Sequence, residues 1–536
     1  MPKDNGVGKY RCIYIDVNRA LFFSKTRPSH HHHQQQQPLY INYTPEIKHS
    51  SILSVTRFTM AATQFPLPVR QPPFRRIGHW LPENDNLLID WLRGLLEEIE
   101  KDKKRFRGPW VLSPEVDDLK KHVESSAELR MLAQAMLDEV PNKPPYIDDP
   151  VGNKQIKSLE DLYICFDKVM TSRAPIWRKL EYDVGLVGFP FNAVLDWPMA
   201  TPSGYAFFLK PDINKKFEVI LNSWKTNFLQ TPDSAKVLLP KEGDNIPLDE
   251  AWLSPESRKV IEDDTNLEGE HLKFEDLFEC DKEQDYWGFQ SWDDFFIRTF
   301  KQYPDKELRP IHFKDNDDWI INSCESKPFS LQPNAKDYDK FWLKGQPYSV
   351  MDMLNKNEDY ASLFVGGTVY QAFLSATSYH RWDSPISGKV LYTEVIPGTY
   401  FAAPTVTGFS NPDGPDPASP DLAQGYITHF ATRAVYYIAN PKIGIIALLY
   451  VGMADVSSCE INEKFIDIPE GGVQVQKGEE LGMFHHGGST YCLLIPKGTK
   501  VAFIPEATPR EGQRNIPIRS PLARVYNDDI ENERRN

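Results

Sequence analysis

The sequence predicts an α+β protein, with a helical N-terminal domain followed by a β-rich, mainly antiparallel domain. Three observations predict it. Apolar residues recur at a helical period between about residues 76 and 270. From about residue 285 onward, short runs rich in Val, Leu, Tyr and Thr are split by Gly and Pro. The composition, 40% hydrophobic and 25% charged over 536 residues, is that of ordinary globular domains.

Taken in order, residues 1–75 differ from the rest. Four histidines and four glutamines fill residues 30–37, and a Pro-rich run extends from Phe65 to Phe74. Such a segment offers little apolar area to offset its ordering entropy, so it is predicted to be a disordered low-complexity tail. Residues 76–270 form the expected helical domain. Leu88, Trp91, Leu92, Leu95, Leu96 and Ile99 share one face. Ser113-Pro114 reads as an N-cap followed by proline at the first helical position. Ser158 to Asp161 resembles a capping box with Asp in place of Glu or Gln. Phe217, Ile220, Leu221, Trp224 and Phe228 form another apolar stripe.

The β-rich domain is expected over residues 285–525. Ser291-Trp292-Asp293-Asp294 opens a short helix. Strands are expected over 389–396, 434–438, 443–451 and 491–495, with the third buried on both faces. Gly472 to Gly482 has the turn-strand-turn rhythm of a small sandwich or barrel. Residues 403–425 form a Pro/Gly/Asp-rich loop long enough to be a lid.

Charge and cysteine usage exclude several classes. With 61 Lys+Arg against 75 Asp+Glu, the net charge of −14 disfavours nucleic acid or an anionic membrane as partner. The longest apolar run, Ile443 to Ala454, falls short of the about 20 residues a transmembrane helix needs. No charged-then-apolar leader opens the chain. The six cysteines are scattered without a C-x-x-C pair, which predicts free thiols and no metal site. These features together predict a cytoplasmic protein.

Four patches carry chemistry. His485-His486-Gly487-Gly488-Ser489-Thr490 places two glycines before a hydroxyl, directly before a strand, leaving the Gly488 carbonyl open to the Ser489 Oγ. Tyr379-His380-Arg381-Trp382-Asp383 gathers an imidazole, a guanidinium and a carboxylate. Ser323-Cys324-Glu325-Ser326 and the segment Gly452 to Cys459 are weaker signals. A β-turn, a structural histidine and a structural carboxylate are the plain readings of these patches.

Jointly, these patches resemble the phosphatidylserine decarboxylase family over about residues 285–525. The matching segments are Trp287 to Phe296, Cys324-Glu325-Ser326, Thr377 to Trp382, Pro397 to Ala402 and Leu481 to His485. They are closest to the soluble fungal tryptophan-decarboxylase branch, which also carries a helical N-terminal domain. The resemblance implies a proenzyme that cuts itself between Gly488 and Ser489. The products would be a β chain and a 48-residue α chain beginning with a pyruvoyl group derived from Ser489. That group would form a Schiff base with a small amino-acid substrate, aromatic ones such as L-tryptophan among them, and accept electrons as CO2 leaves. His380 would protonate the resulting carbanion. The family's second histidine falls on Asp383 and its acidic partner on Glu325, so the expected relay becomes Glu325, Asp383 and Ser489. Asp383 or His380 is then the candidate base.

Alternatives stay open. A phosphatidylserine decarboxylase making phosphatidylethanolamine fits the same motifs. An uncleaved pseudoenzyme or binding protein fits the loss of the second histidine. A hydrolase lacks the G-x-S-x-G elbow, and a biotinyl or lipoyl carrier lacks a recognisable lysine between two strands.

Overall fold

The computed structural model describes residues 85–526 except 107, 143–155, 178–185, 188–189, 200, 245, 339–347, 403–423, 454, 456–457, 487 and 511–512. The tail predicted over residues 1–75, and nearly all of the loop predicted as a lid, lie outside the described residues.

The apolar stripes become helices α1 (Asp85–Phe106), α2 (Pro114–Ser125), α3 (Ala127–Glu139) and α4 (Leu159–Ser172). A two-stranded ribbon, β1 (Ile176–Trp177) with β2 (Leu186–Val187), leads to α5 (Pro190–Met199), α6 (Pro202–Phe208) and α7 (Pro211–Trp224). Leu92, Leu95 and Ile99 of α1 are buried, as are Phe217, Ile220, Leu221 and Trp224 of α7. The Ser158 hydroxyl accepts from the Asp161 amide at 3.1 Å and donates to the Asp161 carboxylate at 2.7 Å. The shorter Asp therefore meets the hydroxyl rather than the backbone amide that a Glu would reach. Ser113 departs from the prediction. It precedes α2, but its side chain makes no capping bond, and its amide donates to Asp167 on α4 at 2.6 Å.

Three further helices, α8 (Pro255–Thr265), α9 (Phe274–Leu277) and α10 (Trp292–Phe296), lead into the sheets. Ser291 caps α10 through the Asp294 amide at 3.0 Å, as its sequence predicts. The strands then follow in order: β3 (Trp319–Ile321), β4 (Lys327–Pro333), β5 (Thr368–Leu374), β6 (Arg381–Asp383), β7 (Gly388–Ile396), β8 (Arg433–Asn440), β9 (Gly444–Met453), β10 (Ser458–Ile461), β11 (Val473–Val475), β12 (Glu480–His485), β13 (Gly488–Ile495), β14 (Lys500–Phe503) and β15 (Pro521–Tyr526).

One antiparallel seven-stranded sheet has the order β11-β7-β8-β9-β13-β5-β4. Two three-stranded sheets, β10-β12-β6 and β14-β15-β3, accompany it. Residues Val435 to Ile438 of β8 and Ile446 to Val451 of β9 are all buried, so these strands have no solvent face. That is why they read as unbroken apolar runs. The fold is α+β, with its helices mainly in the N-terminal half and its sheets in the C-terminal half.

The two halves share one apolar core. Phe208 and Phe217 pack on Phe401, with ring centroids 5.9 and 5.2 Å apart. Among the described residues, no helix is long and apolar enough to cross a membrane.

Candidate active site

Strand β13 begins three residues earlier than its apolar pattern suggests, so Ser489 lies inside the strand rather than before it. It stands between Gly452 of β9 and Leu374 of β5. Side chains alternate along a strand, so Ser489 shares a face with Tyr491. That face is walled by aromatic rings. Tyr491 stacks on Tyr450, Tyr450 stacks on Trp382 at 4.0 Å, and Trp382 meets Phe484 edge-on at 4.8 Å. Opposite Ser489, Gly452 contributes no side chain. The Ser489 hydroxyl is fully buried and has no hydrogen-bond partner among the described residues.

His380 stands on the segment between β5 and β6. Its carbonyl accepts from the Phe484 amide at 3.0 Å, and its ring stacks on Phe296 of α10 at 4.0 Å. Arg298 secures that loop by donating to the Thr377 carbonyl at 2.6 Å, and its guanidinium lies 4.5 Å over the Phe278 ring. Burial pulls the Arg298 pKa down to about 9. Burial also pushes His380 well below the ordinary histidine value, and the Arg298 charge adds to that. His380 is therefore a neutral imidazole. Neither of its nitrogens has a partner among the described residues.

The two adjacent histidines part ways. His485 donates or accepts at 3.0 Å with Asp293 of α10 through Nδ1 and with Glu460 of β10 through Nε2. Burial opposes its charged form, yet these two carboxylates outweigh burial and raise its pKa. His486 is fully buried, packs edge-on against Trp224 of α7 at 5.1 Å, and has no partner at either nitrogen among the described residues. Burial takes its pKa down to about 3.

The sequence-predicted carboxylates each hold an arginine. Glu325 forms a buried bidentate pair with Arg309 at 2.7 and 3.1 Å, and it also accepts from the Ile518 amide at 2.8 Å. Asp383 pairs with Arg519 Nε at 2.5 Å. Burial raises the Asp383 pKa to about 6, against the pull of Arg519. Each of the two carboxylates is thus held by its own cation. Asp383 and Arg519 also line a cavity of about 190 Å³ that reaches Tyr379, the neighbour of His380. Ser489, His380 and His486 are each buried without a hydrogen-bond partner among the described residues, whereas Glu325 and Asp383 are each held by an arginine. No hydrogen bond links the Ser489 hydroxyl to Glu325 or Asp383.

Sequence reasoning missed the partners. Arg309 and Arg519 belong to no recognisable motif, whereas Asp293 and Arg298 stand in the segment Trp292 to Arg298 without an assigned role. Asp455, in a patch read as weak, is buried and accepts from the Phe191 and Asn192 amides of α5 at 3.0 and 2.8 Å. It ties the helical half to the turn beyond Gly452.

Two family models, both described as phosphatidylserine decarboxylase, match residues 113–261 and 292–516, together more than half of the chain. Decarboxylase iboD of Amanita muscaria is 37% identical over 349 residues, covering 63% of this chain and 92% of that protein. The L-tryptophan decarboxylase of Psilocybe cubensis is 28% identical over 443 residues, covering 81% and 91%. Phosphatidylserine decarboxylase proenzyme 3 of Schizosaccharomyces pombe is 28% identical over 226 residues, covering 42% and 21%. Motifs, fold and relatives agree: the chain belongs to the phosphatidylserine decarboxylase family and is a decarboxylase, a carboxy-lyase.

Proposed function

We propose that this decarboxylase is pyruvoyl-dependent, cuts itself between Gly488 and Ser489, and removes CO2 from a free amino acid, L-tryptophan or another aromatic one. The buried, unpartnered hydroxyl of Ser489 carries the reading. It follows a glycine whose carbonyl no Cβ shields, and it faces a strand position without a side chain. A hydroxyl left unsatisfied in a core is costly, and a chemical role is a reason for keeping it.

The residues fit a pyruvoyl group made from Ser489. That group supplies a carbonyl that engages the substrate's α-nitrogen and draws electrons from Cα as CO2 departs. His380 rests neutral, so it must first acquire a proton. In this reading its ring nitrogen takes the proton that an α-ammonium sheds, then returns it to Cα once CO2 has left. The Phe296 ring and the Arg298-bound loop hold the imidazole in place. Asp383 and Arg519 stand side by side in the wall of the cavity that reaches Tyr379, the neighbour of His380. Glu325 acts through Arg309 to hold that wall. The likeness to the L-tryptophan decarboxylases of Psilocybe cubensis and Psilocybe cyanescens supports an amino-acid substrate.

Intact mass spectrometry of the denatured protein tests the cleavage. The expected result is a 48-residue fragment with a pyruvoyl N-terminus, absent from Ser489→Ala. A single uncut wild-type chain overturns the reading. For the substrate, carboxyl-labelled aromatic amino acids should release labelled CO2. Release from phosphatidylserine vesicles alone would reject the amino-acid assignment.

A further inference from the structure

We infer that His486 is the base that takes the Ser489 hydroxyl proton during chain cleavage, in place of the histidine that the motif lacks at Asp383. This inference rests on the self-cleavage reading above. The step balances as follows. The Ser489 Oγ proton passes to a His486 ring nitrogen as Oγ bonds to the Gly488 carbonyl carbon. The Gly488–Ser489 C–N bond then breaks, and the same proton goes to the departing nitrogen, leaving an ester. Loss of the Ser489 Cα proton expels the Gly488 carboxylate, and one water then replaces the nitrogen, which leaves as ammonia.

Three observations single out His486. It lies three residues before Ser489, on the turn that joins β12 to β13. It is fully buried with both ring nitrogens unpartnered among the described residues, as is the Ser489 hydroxyl. The other candidates are engaged. Glu325 is held by Arg309, Asp383 by Arg519, and His485 by Asp293 and Glu460.

His380 is the remaining rival, and charge separates the two. A base must become a cation. The charge acting on His380 is that of Arg298, which opposes this change. The charges facing His486 are Asp293 on α10, which favours it, and His485 and Lys225, which oppose it. Lys225 and His485 are themselves paired with Glu460, and Asp293 with His485, so the charges around His486 nearly balance whereas Arg298 beside His380 does not. Burial keeps His486 neutral and ready to accept, and makes the accepted proton short-lived, so that it passes on to the leaving nitrogen.

The backbone supplies a clean test. His486 has φ +32°, a conformation that Asn and Gly adopt more readily than other residues. His486→Asn and His486→Gly therefore remove the imidazole without straining the turn. Chains made by cell-free synthesis are followed by mass as they mature. Wild type should cut at a rate that is flat from pH 5 to 8. Both variants should cut about 100-fold or more slowly, in line with the loss of a general base, and added imidazole should restore His486→Gly. Cleavage of the variants within threefold of wild type overturns the inference. A wild-type rate that falls as the pH drops through about 6 assigns the proton to Asp383 and also overturns it. Loss that imidazole does not restore assigns His486 to packing and overturns it as well. An uncut wild type instead removes the self-cleavage reading itself.

Discussion

Glu325 and Asp383 show how buried charge is handled at single residues. Glu325 and Arg309 are both almost fully buried and satisfy one another. Removing one partner strands the other charge, so Glu325→Gln is expected to cost about 3–5 kcal/mol of unfolding free energy in chemical denaturation. The double variant with Arg309→Met should cost less than the sum of the two single changes. For Asp383, burial raises the folded pKa to about 6, so the folded chain binds this proton more tightly than the unfolded chain does. The stability it contributes is complete below about pH 4 and is lost as the pH rises through about 6. Wild type should therefore lose stability relative to Asp383→Asn across that window. A difference that does not vary with pH would show that Asp383 titrates normally.

Elements meet at points where little room is left. In β12, a Cβ on Gly482 would lie 2.1 Å from the Glu460 carbonyl oxygen and 3.1 Å from the Trp382 ring. Gly482→Ala must push β12 away from β10 and Trp382, the ring under the site. The expected outcome is a lower melting temperature together with slower chain cleavage. Asp455 joins α5 to the turn after β9, and burial raises its pKa well above the usual carboxylate range. The two backbone N–H bonds it accepts pull the other way. Asp455→Asn keeps one accepting oxygen but turns an amide donor toward the second backbone N–H, so it should lose stability, and Asp455→Ala, which loses both bonds, should lose about 1–2 kcal/mol, the worth of a cap. An unchanged melting temperature in both variants would show that Asp455 does not cap α5.

In the whole molecule, the proposed cut falls at the start of a central strand. After cleavage, β13 would still pair with β9 on one side and β5 on the other, and β15 with β14 and β3. The two chains should therefore elute as one particle in size-exclusion chromatography and part only in denaturant. Separation in native buffer would contradict this packing. The shared core places α7 and α10 directly on the histidines of the β-rich half, through Trp224, Asp293 and Phe296. Through Trp224 the helical half is thus part of the site's wall, and changes at these three positions should reach maturation as well as stability.

The sequence by itself determined the α+β class, the helical stripes of the N-terminal half, the strands β8 and β9 with the burial of β9 on both faces, and the family. These rest on local period and on motifs contiguous in the chain. It also singled out Ser489, His380, Glu325 and Asp383 as chemistry-bearing residues. Only the tertiary structure decided which of them are engaged. Arg309 and Arg519 lie 16 and 136 residues from the carboxylates they bind, and Asp293 lies 192 residues from His485. No local pattern encodes such pairings, because they arise where separate elements pack. For the same reason, the sequence could not separate His485, held between two carboxylates, from its neighbour His486, left neutral and unpartnered beside Trp224. Burial and partner geometry, not residue type, set that difference.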